Sequence, residues 1–266
     1  MSDPGPAGPS GTGSPSQRGG PQSIPRPPLW TPGRPAPWVE SASGSGLLVP
    51  DRVRQVLPPG RTGRESPVAA QGANPSAVLV PIYERDGQLH VLLTRRSLDL
   101  RTHRGEVSFP GGRSDPGETP LETALREANE EIALDPAMVE PLGELDHLTT
   151  VTRRAYIVPV VGLVHGSPEL RPNPAEVAAV LEVPLTELMD PEVFREERWG
   201  PPELARPVYF FDLYGDTVWG ATAALLRQLL ALLTGSDPGD VHDLDPARES
   251  VPAHFQLGPE GYDGVV

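Results

Sequence analysis

Short apolar segments, each bounded by turn-forming residues, recur between residues 76 and 219 and constrain the fold more than any other feature of the chain. Their length and their content of Val, Ile, Tyr and Phe predict β-strands. Asp86 and Gly87, between the first two segments, form a hairpin signal. The predicted strands are SAVLVPIY, LHVLLTRR, GEVSF, PLGELDHL, AYIVPVVGLV, EVAAVLEVPL, PVYFFDLY and TVW.

Two longer segments, residues 119–132 and 220–233, instead carry apolar residues at helical spacing. They lie in the middle of the strand series and at its end, and a short helix, TELM, is expected between them. This order predicts an α/β (α+β) fold in which a mixed β-sheet is sandwiched between α-helices, as α/β/α layers. We expect the folded domain to span residues 76–233.

The two ends of the chain have a different composition. Proline, glycine and serine dominate residues 1–75, which predicts a mostly disordered region with at most a short helix in PWVESASGSGLLV. Such a segment buries too little apolar surface to offset the entropy lost on ordering. Glycine, proline and aspartate return in residues 234–266, where we expect a loose tail.

The composition argues against several classes of function. The formal net charge is -14, whereas nucleic-acid and anionic-membrane binding require an excess of positive charge. The absence of cysteine excludes disulfides, thiolate nucleophiles and cysteine zinc sites. No apolar run is long enough to span a bilayer, and we see no secretory signal. We therefore expect a soluble cytoplasmic protein, and the composition leaves open whether it is a monomer or a homodimer.

Residues 119–132 predict a helix with one apolar and one acidic face. Thr119 can cap it, a proline follows at the first helical position, and Glu122 completes a capping box. Glu127, Glu130 and Glu131 have the spacing i, i+3, i+4 and therefore share a face. Like charges at this spacing destabilise a helix by a few tenths of a kcal/mol per pair. The acidic face is either simply solvated or the binding site of a hard divalent cation, which prefers carboxylate oxygens.

The residues around the acidic face favour the cation. Gly112 lies in the loop before the helix, where a glycine lets the backbone approach closely enough for its carbonyl to act as a ligand. Arg126, beside Glu127, can orient a carboxylate. The whole stretch resembles the Nudix box of the Nudix hydrolases, G-x5-E-x7-R-E-U-x-E-E-x-G-U, where U is a bulky apolar residue. The matching positions are Gly112, Glu118, Arg126, Glu127, Glu130, Glu131 and Leu134, with Ala128 and Ala133 as departures.

The resemblance implies the Nudix fold and the hydrolysis of a nucleoside diphosphate linked to another group, with Mg²⁺ or Mn²⁺ as cofactor. Such cations neutralise the charge of the diphosphate and lower the pKa of a bound water. Arg126 would orient a glutamate, and the general base is left open between Glu127 and Glu176. The implied metal site comprises Glu127, Glu130, Glu131 and Gly112, with Glu118 in support.

Residues 92–112, LLTRRSLDLRTHRGEVSFPGG, resemble the additional signature of the coenzyme A pyrophosphatase branch, LLTxR-(S/A)-x3-R-x3-G-x3-FPGG. The resemblance implies cleavage of coenzyme A, or an acyl or oxidised form, to 3',5'-ADP and 4'-phosphopantetheine or its derivative. Arginine forks suit the phosphates of this substrate. The candidate substrate-binding residues are Arg96, Arg101, Arg95 and Arg104, although Arg95 and Arg104 could equally pair with the chain's own acids or face water.

Three other interpretations remain open at this stage. The substrate could be another nucleotide: ADP-ribose, NADH, a dinucleoside polyphosphate or a damaged nucleoside triphosphate. The domain could bind a nucleotide as a non-catalytic sensor, although such domains usually lose carboxylates of the box and this chain retains them. The proline-rich N-terminus could in addition dock a partner protein.

Overall fold

The computed structural model describes residues 18–39, 45–66, 72–100, 102–150, 154–203 and 205–239. Its helices are α1 (Pro50–Val56), α2 (Pro120–Ile132), α3 (Leu185–Leu188) and α4 (Gly220–Thr234), with 3-10 turns at Ser45–Leu47 and Pro136–Met138. Of the helices described, none combines the length and the apolar character needed to cross a membrane. The strands are β1 (Trp30–Pro32), β2 (Asn74–Arg85), β3 (Gln88–Arg96), β4 (Val107–Ser108), β5 (Gly111–Arg113), β6 (Val139–Glu144), β7 (Leu148–Thr149), β8 (Ala155–Val164), β9 (Val177–Pro184), β10 (Phe194–Trp199), β11 (Arg206–Leu213) and β12 (Asp216–Trp219).

The larger of two sheets is mixed and is built around β2. One edge of β2 pairs in parallel with β8, from Asn74 opposite Ala155 to Tyr83 opposite Val164. Its other edge pairs antiparallel with β3 near its end and with β5 near its start. The main path of the sheet is β4-β3-β2-β8-β6, to which β9 adds beside β3 and β7 beside β8. The strand β5 therefore places its glycine pair directly against the central strand.

Helices and a second sheet cover the two faces of this mixed sheet. Because side chains alternate along a strand, Leu79 and Leu92 face α2, where they pack in one core cluster with Ile132. Ile82 lies in a larger cluster on the opposite face, which includes apolar residues of α4 and of the second sheet. That second sheet is antiparallel, in the order β1-β10-β11-β12. The predicted mixed sheet between helices is confirmed.

Side chains that precede residue 76 belong to the same core. Trp38 is fully buried, its ring centroid lies 6.2 Å from that of Phe211, and its Nε1 donates to the carbonyl of Met189 at 3.1 Å. Residues 18–39 and 45–66 thus depart from the expected disorder, because their few apolar side chains complete an existing core and need not form one alone. The domain limits 76–233 stay a prediction, and residues 1–17 and 240–266 lie outside the described residues.

Candidate functional site

The acidic helix α2 begins and ends as its sequence requires. Thr119 Oγ1 accepts from the Glu122 amide at 3.3 Å, and a Glu122 carboxylate oxygen accepts from the Thr119 amide at 2.8 Å, which completes the predicted capping box. The helix ends at Ile132, and Ala133 adopts the left-handed conformation with φ 55°. Glycine is the residue that takes this conformation without strain, so the alanine at this position is tolerated at a cost in stability.

The glycine pair of β5 brings the backbone against the acidic face of α2. A Cβ added to Gly112 would lie 2.6 Å from the carboxyl carbon and both oxygens of Glu127. A side chain at this position would displace the carboxylate of Glu127, so the glycine permits the close approach of the backbone to that acid. The amide of the preceding Gly111 donates to Glu131 Oε2 at 3.3 Å. The glycine pair, predicted to lie in a loop, lies in the short strand β5, and it meets the predicted helix at the carboxylates of Glu127 and Glu131.

Glu131 is a buried acid with little compensating charge. Only 2% of the residue is exposed, and burial raises its pKa to about 7. Two groups lower the pKa of Glu131, but by less than burial raises it. They are the positive charge of Arg96, whose Nη1 lies 3.8 Å from Glu131 Oε1, and the hydrogen bond from the Gly111 amide. The negative charges of Glu127 and Glu176 raise it further. A carboxylate in this environment favours any arrangement that adds positive charge nearby.

Glu127 and Glu176 approach the same region. Burial raises the pKa of Glu127 above its ordinary value, Arg126 opposes this, and the charges of Glu130 and Glu176 add to the rise. Because Glu176 acts on both Glu127 and Glu131, the fold brings this residue of the turn before β9 to the acidic face of α2. Its carbonyl accepts from the Ser97 amide at 2.8 Å, so the end of β3 fixes that turn.

Arg126 connects the remaining acids. Its guanidinium donates to Glu118 at 2.7 and 3.0 Å, to Glu127 at 2.8 Å and to Glu130 at 3.2 Å. It also donates to the Arg113 carbonyl of β5 at 3.1 Å. One side chain therefore contacts two acids of the helix and the backbone of β5, and the orienting role that the resemblance implies for Arg126 stays a prediction.

Glu118 is held in place on several sides. Besides Arg126, it accepts from the amide of Asp115 and from Thr123 Oγ1, both at 2.9 Å. Arg126 is the main reason that its pKa falls to about 2. Thr123, which is fully buried, was not predicted from the sequence. The feature that could have indicated it is a hydroxyl side chain on the buried side of an amphipathic helix. These contacts fit the predicted role of Glu118 as a support for the cluster.

The acids do not already converge on one point. Among the described residues, no three His, Asp or Glu side chains are arranged to hold a metal ion as they stand. Arg126 draws Glu127 and Glu130 to itself, whereas Glu131 lies against Gly111 and Arg96. The residues nevertheless fit a hard divalent cation, because they offer carboxylate oxygens and one of them is a buried acid. The metal assignment stays a prediction.

Two consecutive arginines at the end of β3 have different environments. Arg95 makes a two-pronged ion pair with the buried Asp216, with Nε and Nη2 at 2.7 and 2.6 Å from the two oxygens. Arg96 points toward Glu131, and its Nε is buried and has no hydrogen-bond partner among the described residues. For Arg95, the structure thus favours pairing with the chain's own acid over binding of substrate. Arg96 retains a donor for an external acceptor.

The other two candidate arginines, Arg101 and Arg104, follow β3 in the sequence. Arg104 is exposed, and its Nε donates to the Leu100 carbonyl. Arg101 lies outside the described residues. His103 Nδ1 lies 2.9 Å from a carboxylate oxygen of Glu106, which fits a structural role for this histidine. Of the three candidate arginines that the structure describes, it therefore brings Arg96 to the acids of α2.

Comparisons with known proteins agree with this arrangement. A family model described as NUDIX domain matches residues 73–203. The uncharacterized Nudix hydrolase NudL of Pectobacterium atrosepticum is 42% identical over 160 residues, which cover 58% of this chain and 80% of that relative. Nudix hydrolase 3 of Caenorhabditis elegans is 38% identical over 183 residues, which cover 59% and 72%. The matched range contains both the glycine loop and the acidic helix.

Two of the solved structures that match part of this chain are a NUDIX domain and an Ap4A hydrolase. The NUDIX domain of Shewanella oneidensis NrtR, complexed with ADP ribose, has a TM-score of 0.37 and 26% identity over 46% of this chain and 80% of its own. A Caenorhabditis elegans Ap4A hydrolase binary complex has a TM-score of 0.38 and 17% identity over 45% of this chain and 85% of its own. In both, the aligned part is less than half of this chain.

Proposed function

The chain belongs to the Nudix hydrolase family, whose members cleave phosphoric anhydrides of nucleoside diphosphate derivatives. We propose that the substrate of this chain is coenzyme A or an acyl or oxidised form of it. Hydrolysis of the diphosphate would yield 3',5'-ADP and 4'-phosphopantetheine or its derivative. The support lies in residues 92–112, which match every fixed position of the signature of the coenzyme A pyrophosphatase branch.

The observation that carries this proposal is the position of Arg96. It is a fixed residue of that signature, and it reaches from the end of β3 to Glu131. The Arg96 side chain is one quarter exposed, and a phosphate bound to its guanidinium would add an acceptor, which its Nε lacks among the described residues. Arg104, exposed on the following loop, offers a second guanidinium for the additional 3'-phosphate that distinguishes coenzyme A.

Family members generally use divalent cations such as Mg²⁺ or Mn²⁺. We assign the cation to Glu127, Glu130, Glu131 and the Gly112 carbonyl, with Glu118 holding Arg126 behind them. A cation bound there would offset the charge of the diphosphate and make a water more acidic. The buried Glu131, whose pKa burial raises to about 7, supports this assignment because a nearby cation would offset the cost of its charge.

The chain's own groups would orient the substrate and accept a proton. Arg126 donates to Glu127 at 2.8 Å and would hold that acid, and Arg96, near Glu131, would bind a phosphate oxygen. Glu127 and Glu176 both stay candidates for the general base. Burial raises the pKa of Glu127, which makes its carboxylate a stronger proton acceptor than an exposed glutamate. Separate Glu127→Gln and Glu176→Gln variants, assayed over pH, would show which loss removes the acidic limb of the rate profile.

Mass spectrometry of products formed from coenzyme A in oxygen-18 water tests the reaction directly. It identifies the products and shows which phosphorus atom receives the oxygen. Parallel assays with 3'-dephospho-coenzyme A test the role of the extra phosphate, and we expect the full substrate to have the higher kcat/KM. Equal cleavage of both, or stronger activity on ADP-ribose, NADH or a dinucleoside polyphosphate, would exclude coenzyme A as the preferred substrate.

A further inference from the structure

Gln22 lies in the N-terminal segment, residues 18–39, which precedes the range that the family model matches. Its carboxamide makes three hydrogen bonds. Nε2 donates to the Gly105 carbonyl at 3.0 Å and to Asp216 Oδ1 at 2.9 Å, and Oε1 accepts from the Thr217 amide at 2.9 Å. The Thr217 amide can only donate, so it fixes the orientation of the carboxamide. Gln22 therefore ties the loop before β4 to β12.

Two of the three groups that Gln22 contacts, Gly105 and Asp216, also bond to residues at the end of β3. The Gly105 amide donates to the carbonyl of Arg96 at 3.2 Å, so Gln22 holds the residue that pairs with the Arg96 backbone. Asp216, the other acceptor of Gln22, is the buried acid that binds the guanidinium of Arg95. The backbone of Arg96 is thus held by Gly105, and the side chain of Arg95 is held by Asp216. Gln22 donates a hydrogen bond to both Gly105 and Asp216.

The same part of β3 also reaches the acidic site. The amide of Ser97, next to Arg96, donates to the Glu176 carbonyl at 2.8 Å, and Arg96 Nη1 lies 3.8 Å from Glu131. A displacement of this strand end would therefore move the arginine that faces the acids and the turn that carries Glu176. A shift of about 1 Å in a positioning element is enough to weaken binding or catalysis.

The N-terminal segment does not depend on Gln22 for its attachment. The Gly19 amide donates to the Leu213 carbonyl at 2.7 Å, and the Gly20 amide donates to Thr217 Oγ1 at 3.1 Å. Further along, Arg26 Nε donates to the buried Glu197 at 2.9 Å. The contact of Gln22 with Gly105 is thus separable from the contacts that hold the segment on the second sheet.

We propose that Gln22 is a positioning residue for substrate binding: through Gly105 and Asp216, it fixes the strand end from which Arg96 reaches the substrate. This rests on the role proposed above for Arg96 as a phosphate-binding residue. It adds to the site a segment outside the matched Nudix range. Gln22 itself touches neither the substrate nor the acids of α2; it acts through Arg96.

The test uses the full chain with a Gln22→Glu substitution. Glutamate keeps the size of the side chain and an acceptor for Thr217, but it removes both donors and sets a carboxylate against the Gly105 carbonyl and Asp216. We expect KM to rise about three- to tenfold, the range of one lost hydrogen bond, with kcat changed by less than about twofold. Arg26→Gln is the matched control: it loosens the same segment at Glu197 and should leave KM unchanged. An unchanged KM in Gln22→Glu, or an equal rise in the control, refutes the proposal.

A double-mutant cycle separates action through Arg96 from a general loss of order. In an Arg96→Gln background, the Gln22→Glu substitution should change kcat/KM by less than about twofold, because the group that it positions has been removed. Retention of the full effect in that background would show that Gln22 acts by another route. The cycle is run with whichever diphosphate the wild-type enzyme cleaves best. If coenzyme A proves not to be a substrate, the proposed function fails while the cycle still decides the role of Gln22.

Amide hydrogen exchange gives a readout that does not depend on turnover. In Gln22→Glu, amides of residues 102–106 should exchange faster than in the wild type, whereas Arg26→Gln should leave them unchanged. Unaltered exchange at these amides would refute the proposal even if Arg96→Gln were too slow for kinetics. Faster exchange with an unchanged KM would also refute it, because the loop would then be held without any consequence for the substrate.

Discussion

A Glu131→Gln substitution should stabilise the metal-free protein at alkaline pH. Glu131 is 2% exposed, and burial raises its pKa from the ordinary 4.5 to about 7. One pKa unit corresponds to about 1.4 kcal/mol, so the ionised side chain destabilises the folded state by about 3 kcal/mol relative to the protonated one. Glutamine has the same shape and can still accept from the Gly111 amide, but it carries no charge to bury.

The direction of the pH dependence follows from the raised pKa of Glu131. In the folded state this group binds its proton more tightly than in the unfolded state, so its contribution to stability is complete below about pH 4.5. That contribution falls as the pH rises and is lost once the pH passes the folded-state pKa of about 7. Wild type and Glu131→Gln should therefore differ little at about pH 4.5 and by about 3 kcal/mol at about pH 8, in favour of the variant.

Urea denaturation in EDTA across this pH range measures the difference. Glu130→Gln is the matched control, since it removes the same charge from the same helix at a position where the carboxylate is more than half exposed. The difference between that control and the wild type should not grow with pH. Saturating Mg²⁺ should raise the stability of the wild type more than that of Glu131→Gln, because the ion binds the charged acid. Parallel pH profiles for wild type and Glu131→Gln in EDTA would refute the reasoning.

Three further substitutions test other parts of the structure. Ala133→Gly should raise the free energy of unfolding by about 0.5–1 kcal/mol in urea denaturation, because glycine takes the left-handed conformation at the end of α2 without strain; a loss of stability would contradict this. Trp38→Ala should lower it by about 3–5 kcal/mol, since the indole is fully buried against Phe211, and a change below about 1 kcal/mol would mean that the N-terminal segment is not part of the core. Gly112→Ala should reduce hydrolysis of the best substrate at least about tenfold with little change in Tm, because a Cβ at that position would displace the carboxylate of Glu127; full activity would contradict the close approach.

The regular elements could be predicted because their patterns are local. All the predicted strands, the capping box at Thr119 and the closing helix α4 appear in the structure. The strand β10, FREERW, was missed because it places two glutamates in the interior. Glu197 is 3% exposed there, and its partners include Arg26, which is far away in the sequence. Such ion pairs exist only after the chain has folded, so periodicity alone cannot predict them.

The candidate site was predictable in its residue types but not in its pairings. The motif identified the acids of α2, but it did not predict that the adjacent Arg95 and Arg96 would have different partners. Arg95 pairs with Asp216, whereas Arg96 lies near Glu131. Their separation follows from the alternation of side chains along β3, with Asp216 on one side and Glu131 on the other. The position of Asp216 depends on β12, which lies more than a hundred residues later. Long-range packing thus decides which arginine pairs with Asp216 and which one faces Glu131.

An acidic chain can bind an anionic diphosphate if the local charges at the site differ from the net charge of -14. Arg96 has a buried donor with no acceptor among the described residues, and burial raises the pKa of the neighbouring Glu131. A divalent cation alone would relieve the acid, and a phosphate alone would satisfy the arginine. A cation paired with a diphosphate does both, and in a poorly solvated site each added charge strengthens the binding of the other. A metal–diphosphate pair would therefore suit this site better than either component, as the proposed hydrolysis of a diphosphate requires.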